Sequence, residues 1–208
     1  MDGGYISRRG FSLVEMLVVL SIIGVMLALS APMWMTQSTM DLNGASMRLA
    51  TFFEEARAQS TAYGEPVRVL IHDDPTDPGN YRRRILALRR EDKDSDDATP
   101  PQWRPVLHPL ILPEGIFIDV DQPGVSQSRM SFTGSGAENL SWRYYEIEPS
   151  GVPSEDSARN VVLGKGIADS PGSQIRFPNP ELVAGFRLSN RTRPIHFRNR
   201  DDIARSTR

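Results

Sequence analysis

The stretch Arg8-Arg9-Gly10-Phe11-Ser12-Leu13-Val14-Glu15-Met16-Leu17 decides how this chain is read, because a short basic leader there meets a long apolar segment with one carboxylate inside it. From Met16 to Met35 no residue is charged. A helix rises ~1.5 Å per residue, so an uncharged run of about 20 residues covers a hydrocarbon core of roughly 30 Å. Glu15 is out of place in such a segment. A charge at membrane depth costs roughly 2.5 to 3.5 kcal/mol on insertion scales and persists only where a partner or a function compensates. Its natural partner is an amine. Arg8 and Arg9 flank the span, and the positive-inside rule keeps that end in the cytoplasm and sends the rest of the chain outside.

Three plainer readings compete. A secretory signal peptide has a shorter apolar core without a carboxylate and small residues at its cut; Ala31 offers one, but Pro32 follows it and blocks cleavage. Ser7-Arg8-Arg9-Gly10-Phe11 also reads as a twin-arginine signal, with Ser12 and Leu13 in place of the expected Leu-Lys. An ordinary signal anchor gives the same topology and leaves Glu15 unexplained.

The match R-R-G followed by F-S-L-V-E-M-L-V-V-L resembles the leader of type IV pilins and type II secretion pseudopilins. That resemblance implies cleavage by a prepilin peptidase between Gly10 and Phe11, N-methylation of the new Phe11 terminus, and a role for Glu15 as the assembly glutamate. Pro32 falls where many pilins carry a helix-kinking proline. The partners implied are the peptidase, other pseudopilins or pilins in a helical filament, and an inner-membrane secretion platform. No cofactor is implied.

The chain has 208 residues, enough for one membrane helix and one domain of ordinary size. It contains no Cys, which excludes disulfides, thiolate metal sites and a Cys nucleophile. The net charge of -2 argues against general nucleic-acid binding. The division expected is a leader over 1–10, the transmembrane half of a helix over 11–40, its amphipathic half over 41–63, and a periplasmic β-rich domain over 64–208.

In that second half Leu42, Ala45, Leu49, Phe52, Phe53, Ala56 and Tyr63 recur at helical spacing and form one apolar stripe. Gly64 and Pro66 stop the helix. Beyond them, short alternating runs broken by Pro, Gly, Asn and Asp predict strands. They fall at 66–72, 81–90, 115–121, 128–132, 140–147, 161–163, 173–177, 185–189 and 194–198. The fold class expected is α+β, a long N-terminal transmembrane helix packed on an antiparallel sheet-rich domain. A fragment starting at Asp41 should fold by itself.

This region resembles the H-type minor pseudopilins (GspH/FimT), whose helix ends in A-R-x-x-A before a strand and which carry a later F-x-P-x-G turn. Here Glu55 to Ala62 reads E-A-R-A-Q-S-T-A, and Ile147 to Gly151 reads I-E-P-S-G with Ile in place of Phe.

Chemistry-bearing motifs are few. Asp92, Asp94 and Asp96 have the spacing of half a calcium loop, but Asp97 replaces the turning Gly and Trp103 the closing Glu, so a solvated acidic loop is the expectation. His72, His108 and His196 repeat no ligand spacing, and Gly134-Ser135-Gly136 lacks the setting of a nucleophile elbow. No catalytic constellation emerges, so the chain is expected to be no enzyme and to hold no metal. From Arg187 to Arg208 seven Arg face Asp201 and Asp202, an excess of +5 that suits phosphates. A solvated, frayed terminus explains it as well. The main expectation is thus a structural subunit of a type II secretion pseudopilus, the alternatives being a minor pilin of a type IV pilus or DNA-uptake filament whose Arg-rich tail contacts DNA, and a membrane-anchored domain unrelated to filaments.

Overall fold

In the computed structural model the described residues are 12–91, 102–132, 140–154, 158–170, 172–190 and 193–206, and within these the side chains of 27–39 and 204–206 are not described. The chain divides into two compact units, Met1–Met40 and Asp41–Arg208.

The first unit contains the start of helix α1 (Leu13–Tyr63). Leu13, Val14, Leu17, Leu20, Ile22, Ile23 and Met26 are all exposed, so this unit has an apolar surface and no core of its own among its described side chains. Among the described residues, no helix is long and apolar enough to cross a membrane. The uncharged run expected to do so continues past Met26 into 27–39, outside the described side chains. The α-helical assignment is unbroken across Gly24 and Pro32.

The second unit is built on the apolar stripe. Leu42, Ala45, Leu49, Phe52, Phe53 and Ala56 are buried in one core with residues of both sheets. Tyr63, placed on that stripe by spacing, is the last residue of the helix and is 56 % exposed instead, with the Arg89 guanidinium stacked on its ring at 4.2 Å. The helix closes as its composition requires. Gly64 takes φ 68°, and the N–H groups of Gly64 and Glu65 both return to Ser60 O at 3.0 and 3.3 Å, a glycine C-cap.

The strands are β1 (Val67–His72), β2 (Arg84–Glu91), β3 (Gln102–Pro105), β4 (Leu110–Ile111), β5 (Ile116–Ile118), β6 (Arg129–Phe132), β7 (Leu140–Ile147), β8 (Asn160–Lys165), β9 (Val183–Arg187) and β10 (Ile195–Phe197), followed by the short helix α2 (Arg200–Ser206). One sheet has the order β3-β2-β1-β7-β6 with β4 also on β2; the other is β10-β9-β8-β5. All pairings are antiparallel. On the larger sheet Val67, Val69 and Ile71 join the helix core. Leu70 lies opposite Leu86 and Tyr144 and enters a second cluster with Leu88 and Trp142. Both faces of β1 are therefore covered, which explains its near-continuous apolar run in place of strict alternation.

Four expectations are corrected. Residues 81–83 were expected in a strand but form a turn, in which Arg82 adopts φ 53° and its N–H bonds His72 O at 2.8 Å. The strand expected at 173–177 is only a single bridge, Ile167 to Arg176, since Ile175 and Phe177 bury themselves against Tyr81 and Phe117 without a ladder. Strands β3 and β4 were missed because Pro101, Pro105 and Pro109 read as punctuation, whereas β3 lies at a sheet edge, which tolerates proline. The tail, expected to be solvated and frayed, carries a short helix instead: Asn199 Oδ1 accepts the Asp202 N–H at 2.9 Å and caps α2, whose Ile203 is 1 % exposed in the core.

Candidate functional site

The first turn of α1 carries the residue on which the sequence reading turned. Ser12 and Glu15 are spaced as S-x-x-E, and they bond reciprocally: the Ser12 N–H donates to Glu15 Oε2 at 3.2 Å, and the Glu15 N–H donates to Ser12 Oγ at 3.2 Å. This is a capping box, which satisfies two of the orphan N–H groups at a helix start and sets a carboxylate where the helix dipole favours it. The sequence reading treated Glu15 as waiting for an amine and overlooked Ser12. The S-x-x-E signature before an apolar run was the available signal. The expected cut between Gly10 and Phe11, and the methylated Phe11, lie outside the described residues; Pro32 has no described side chain.

The two stretches behind the H-type resemblance meet in space. Glu148-Pro149-Ser150-Gly151 makes a tight turn, with Gly151 N–H to Glu148 O at 2.7 Å and Glu148 N–H to Val152 O at 2.8 Å. Gly151 adopts φ 75°, the left-handed residue that this hairpin loop needs after its proline. Arg57 of α1 donates from Nε to Gly151 O and from Nη2 to Ser189 O at 2.5 Å. Ser60, fully buried, has Glu148 O at 2.7 Å and Glu65 O at 2.9 Å within reach of its single hydroxyl proton. The helix end thus gathers the β7 turn and the end of β9 by side-chain donors, a structural role.

At the opposite end of β1 lies a buried ion cluster that sequence reasoning did not find. Asp73, with its side chain 3 % exposed, accepts Arg143 Nε at 2.8 Å on Oδ2, with Arg129 Nη2 at 3.2 Å on the same oxygen and Arg82 Nε at 3.6 Å from Oδ1. Arg143 also bonds Gln127 Oε1 and Ser126 O. The cluster ties the β1–β2 turn to β6 and β7. The three guanidiniums come from 82, 129 and 143, so no local motif announces them.

Next to it His72 is fully buried, its ring edge-on to Trp142 at 4.9 Å, and neither ring nitrogen has a hydrogen-bond partner among the described residues. Burial lowers its pKa from 6.5, and the field of Asp77 and Asp74 only partly opposes that. A folded-state pKa below the unfolded one means that the unfolded chain takes up the proton first as pH falls. The contribution is fully present above pH 6.5 and is lost as pH drops below it toward the folded-state value. His72→Phe, which keeps the ring and removes the titration, is expected to flatten the acid limb of a Tm-against-pH profile below 6.5. Superimposable acid limbs would refute this.

The other sequence candidates stay apart. His108 and His196 are exposed, in the β3–β4 segment and on β10. Asp92, Asp94, Asp96 and Gly134-Ser135-Gly136 lie outside the described residues, and Trp103 stacks on the Arg68 guanidinium at 4.2 Å. Among the described residues, no group of three or more His, Cys, Asp or Glu side chains could hold a metal ion. Of the C-terminal arginines, Arg187 is half-buried on β9, Arg193 and Arg198 are exposed, and Arg200 pairs with Glu181 at 3.1 Å; Arg191 and Arg208 lie outside the described residues.

No curated protein and no solved structure matches the chain. A family model does, over residues 6–31: the prokaryotic N-terminal methylation motif. That match covers the end of the leader, Glu15 and the apolar start of α1, and it supports a membrane-anchored, type IV pilin-like protein that is processed by a prepilin peptidase and assembles with other pilins.

Proposed function

We propose that this chain is a structural subunit of a type II secretion pseudopilus, of the H-type minor class, without catalysis of its own. The reading is carried by the methylation motif at 6–31, and it is supported by the position of Glu15 in the first turn of helix α1, ahead of the uncharged run. It is supported by the contact of the E-A-R and I-E-P-S-G stretches through Arg57. The leader 1–10 stays cytoplasmic, the peptidase cuts after Gly10, Phe11 is methylated, and the β-rich unit lies in the periplasm. Glu15 then receives the Phe11 ammonium of a neighbouring subunit.

N-terminal mass spectrometry of protein from its native membrane is expected to find a methylated Phe11. Retention of residues 1–10, or a cut near Ala31, would overturn the processing. Co-purification with a type II secretion platform is the expected association; recovery only in retractable pili would assign the subunit to a type IV pilus instead.

A further inference from the structure

We infer that the Asp73 cluster is a binding site for an oxyanion, a phosphate or a carboxylate, which enters from the surface between Arg82 and Arg129. The inference is independent of filament assembly and starts from the balance of charge. Arg82 and Arg143, both buried, share one buried carboxylate, Asp73. Arg129 brings a third guanidinium to Asp73 Oδ2 at 3.2 Å while its side chain stays 60 % exposed. The other carboxylates of the adjoining turns are engaged elsewhere. Asp74 accepts the N–H and the hydroxyl of Thr76, Asp77 accepts Asn80 Nδ2, and Asp119 accepts Gln122 Nε2 and the Asp121 N–H. The buried layer of Asp73, Arg82 and Arg143 therefore holds one cation in excess, and an excess charge out of water is costly until a counter-charge joins it.

Two further observations single out Arg82. Its Nε is buried without a hydrogen-bond partner among the described residues, and its ion-pair distances to Asp73 and Asp121, 3.6 and 3.9 Å, lie beyond hydrogen-bond reach. Arg82 also holds φ 53°, a left-handed conformation unfavourable for a residue with a Cβ, fixed by its N–H on His72 O at 2.8 Å. A guanidinium kept at a strained position with Nε unused is pre-organised for an acceptor that none of the described residues supplies. Asp121 marks the way in. Its carboxylate is 82 % exposed and faces Arg82 Nη1, so a solvated acceptor already approaches that guanidinium from outside, too far away to bond it. An oxyanion that displaces Asp121 gains Arg82 together with the exposed guanidinium of Arg129, since both stand on Asp73. The planar N–H pairs of a guanidinium match two oxygens of a phosphate or a carboxylate.

The test unfolds the full chain by heat in detergent micelles, in sodium phosphate, sodium acetate and sodium chloride at one pH and one ionic strength. Tm is read against anion concentration. An anion bound only by the folded state is expected to raise Tm by about 4 °C over chloride at ten times its dissociation constant. A rise with phosphate and none with acetate assigns a free tetrahedral anion, whereas a rise with acetate assigns a carboxylate of the kind an acidic peptide carries. Arg129→Gln is expected to demand about tenfold more anion for the same rise. Asp121→Asn is expected to need about threefold less, because it removes the competing carboxylate. Arg176→Gln, which removes an exposed arginine paired with Asp169, should change nothing. The increment over chloride is what counts, so a lower starting Tm in a variant does not obscure it, and if Arg129→Gln fails to fold, Asp121→Asn decides alone. Equal Tm in the three salts overturns the inference. So does an anion effect that neither Arg129→Gln nor Asp121→Asn alters, which is the mark of general stabilisation by an excluded salt.

Discussion

A Glu15→Gln protein is expected to be cleaved and methylated, to stay in the membrane, and to enter filaments about ten- to a hundredfold less efficiently than wild type. The magnitude follows from the interaction lost. A hydrogen bond to a charged group contributes ~1.5–3 kcal/mol, and each 1.4 kcal/mol is about a factor of ten. The pair is also stronger at the membrane than in water, since unit charges 4 Å apart attract by about 1 kcal/mol in bulk solvent and about 4 kcal/mol at an effective dielectric constant near 20. Gln can still accept the Ser12 N–H, so the helix start survives and the charge alone is removed. Glu15→Ala removes the box as well and is expected to assemble no better. Insertion should not suffer in either case, because removing a charge from lipid is favourable. Cleavage assays, membrane fractionation and cross-linking to neighbouring subunits read the three properties separately. Wild-type incorporation of both variants would refute the role assigned to Glu15, and degradation of either before assembly would make it a folding residue.

The second large effect is on stability. Asp73→Asn is expected to cost about 3–5 kcal/mol, because it leaves the Arg82 and Arg143 side chains, only 8 % and 7 % exposed, with no buried counter-charge among the described residues. The other carboxylate within reach, Asp121, is 3.9 Å from Arg82 with its side chain 82 % exposed, and a solvated carboxylate at that distance compensates little. Against a total stability of roughly 5–15 kcal/mol, about a fifth or more would be lost, a fall in Tm on the order of 10 °C for a unit of this size. The remedy separates charge from packing. Adding Arg143→Met to Asp73→Asn removes one of the stranded cations and should recover part of the loss, whereas Arg143→Met alone should destabilise. Equilibrium unfolding by urea, with the slope held constant, measures both. A cost below about 1 kcal/mol for Asp73→Asn would show that the cluster is solvated. The outer pairs, such as Arg176 with Asp169 at 3.7 Å, where both side chains are more than half exposed, should respond weakly to the same treatment.

These two sites differ in how they could be read from sequence. Glu15 stands out because a charge in an apolar run violates a local rule, and local violations are visible in one dimension. Asp73 violates nothing where it stands. It opens the polar stretch D-D-P-T-D-P-G-N after β1, as a turn aspartate commonly does, and only the return of β6 and β7 brings Arg129 and Arg143 to it. Arg82 reaches it because the chain turns through a left-handed residue where alternation had predicted a strand.

What the sequence by itself determined about this protein is what repeats locally. The helix follows from its apolar stripe and stops at Gly64, and β7 appears over the residues that its alternation predicted, Leu140–Ile147. The methylation motif follows from the contiguous stretch 6–31. Tertiary structure alone decided which apolar residues share a core and which polar ones are held inside it. Trp103, which in the sequence only fills the place of a calcium loop's closing Glu, becomes part of a stack with Arg68 and Tyr144, because β3 pairs with β2 through Arg90 opposite Trp103. The basic tail could have stayed in solvent on charge alone, but Ile203 and Phe197 give it apolar anchors that its arginines conceal. At Gly185 a Cβ would lie 2.1 Å from Val161 O, so that position is set by a strand far away in sequence. The physical reason is common to all of these: spacing along the chain encodes the period of a helix or strand, whereas the partners of a buried charge or a close-packed glycine are chosen by the return of distant segments, which no local pattern records.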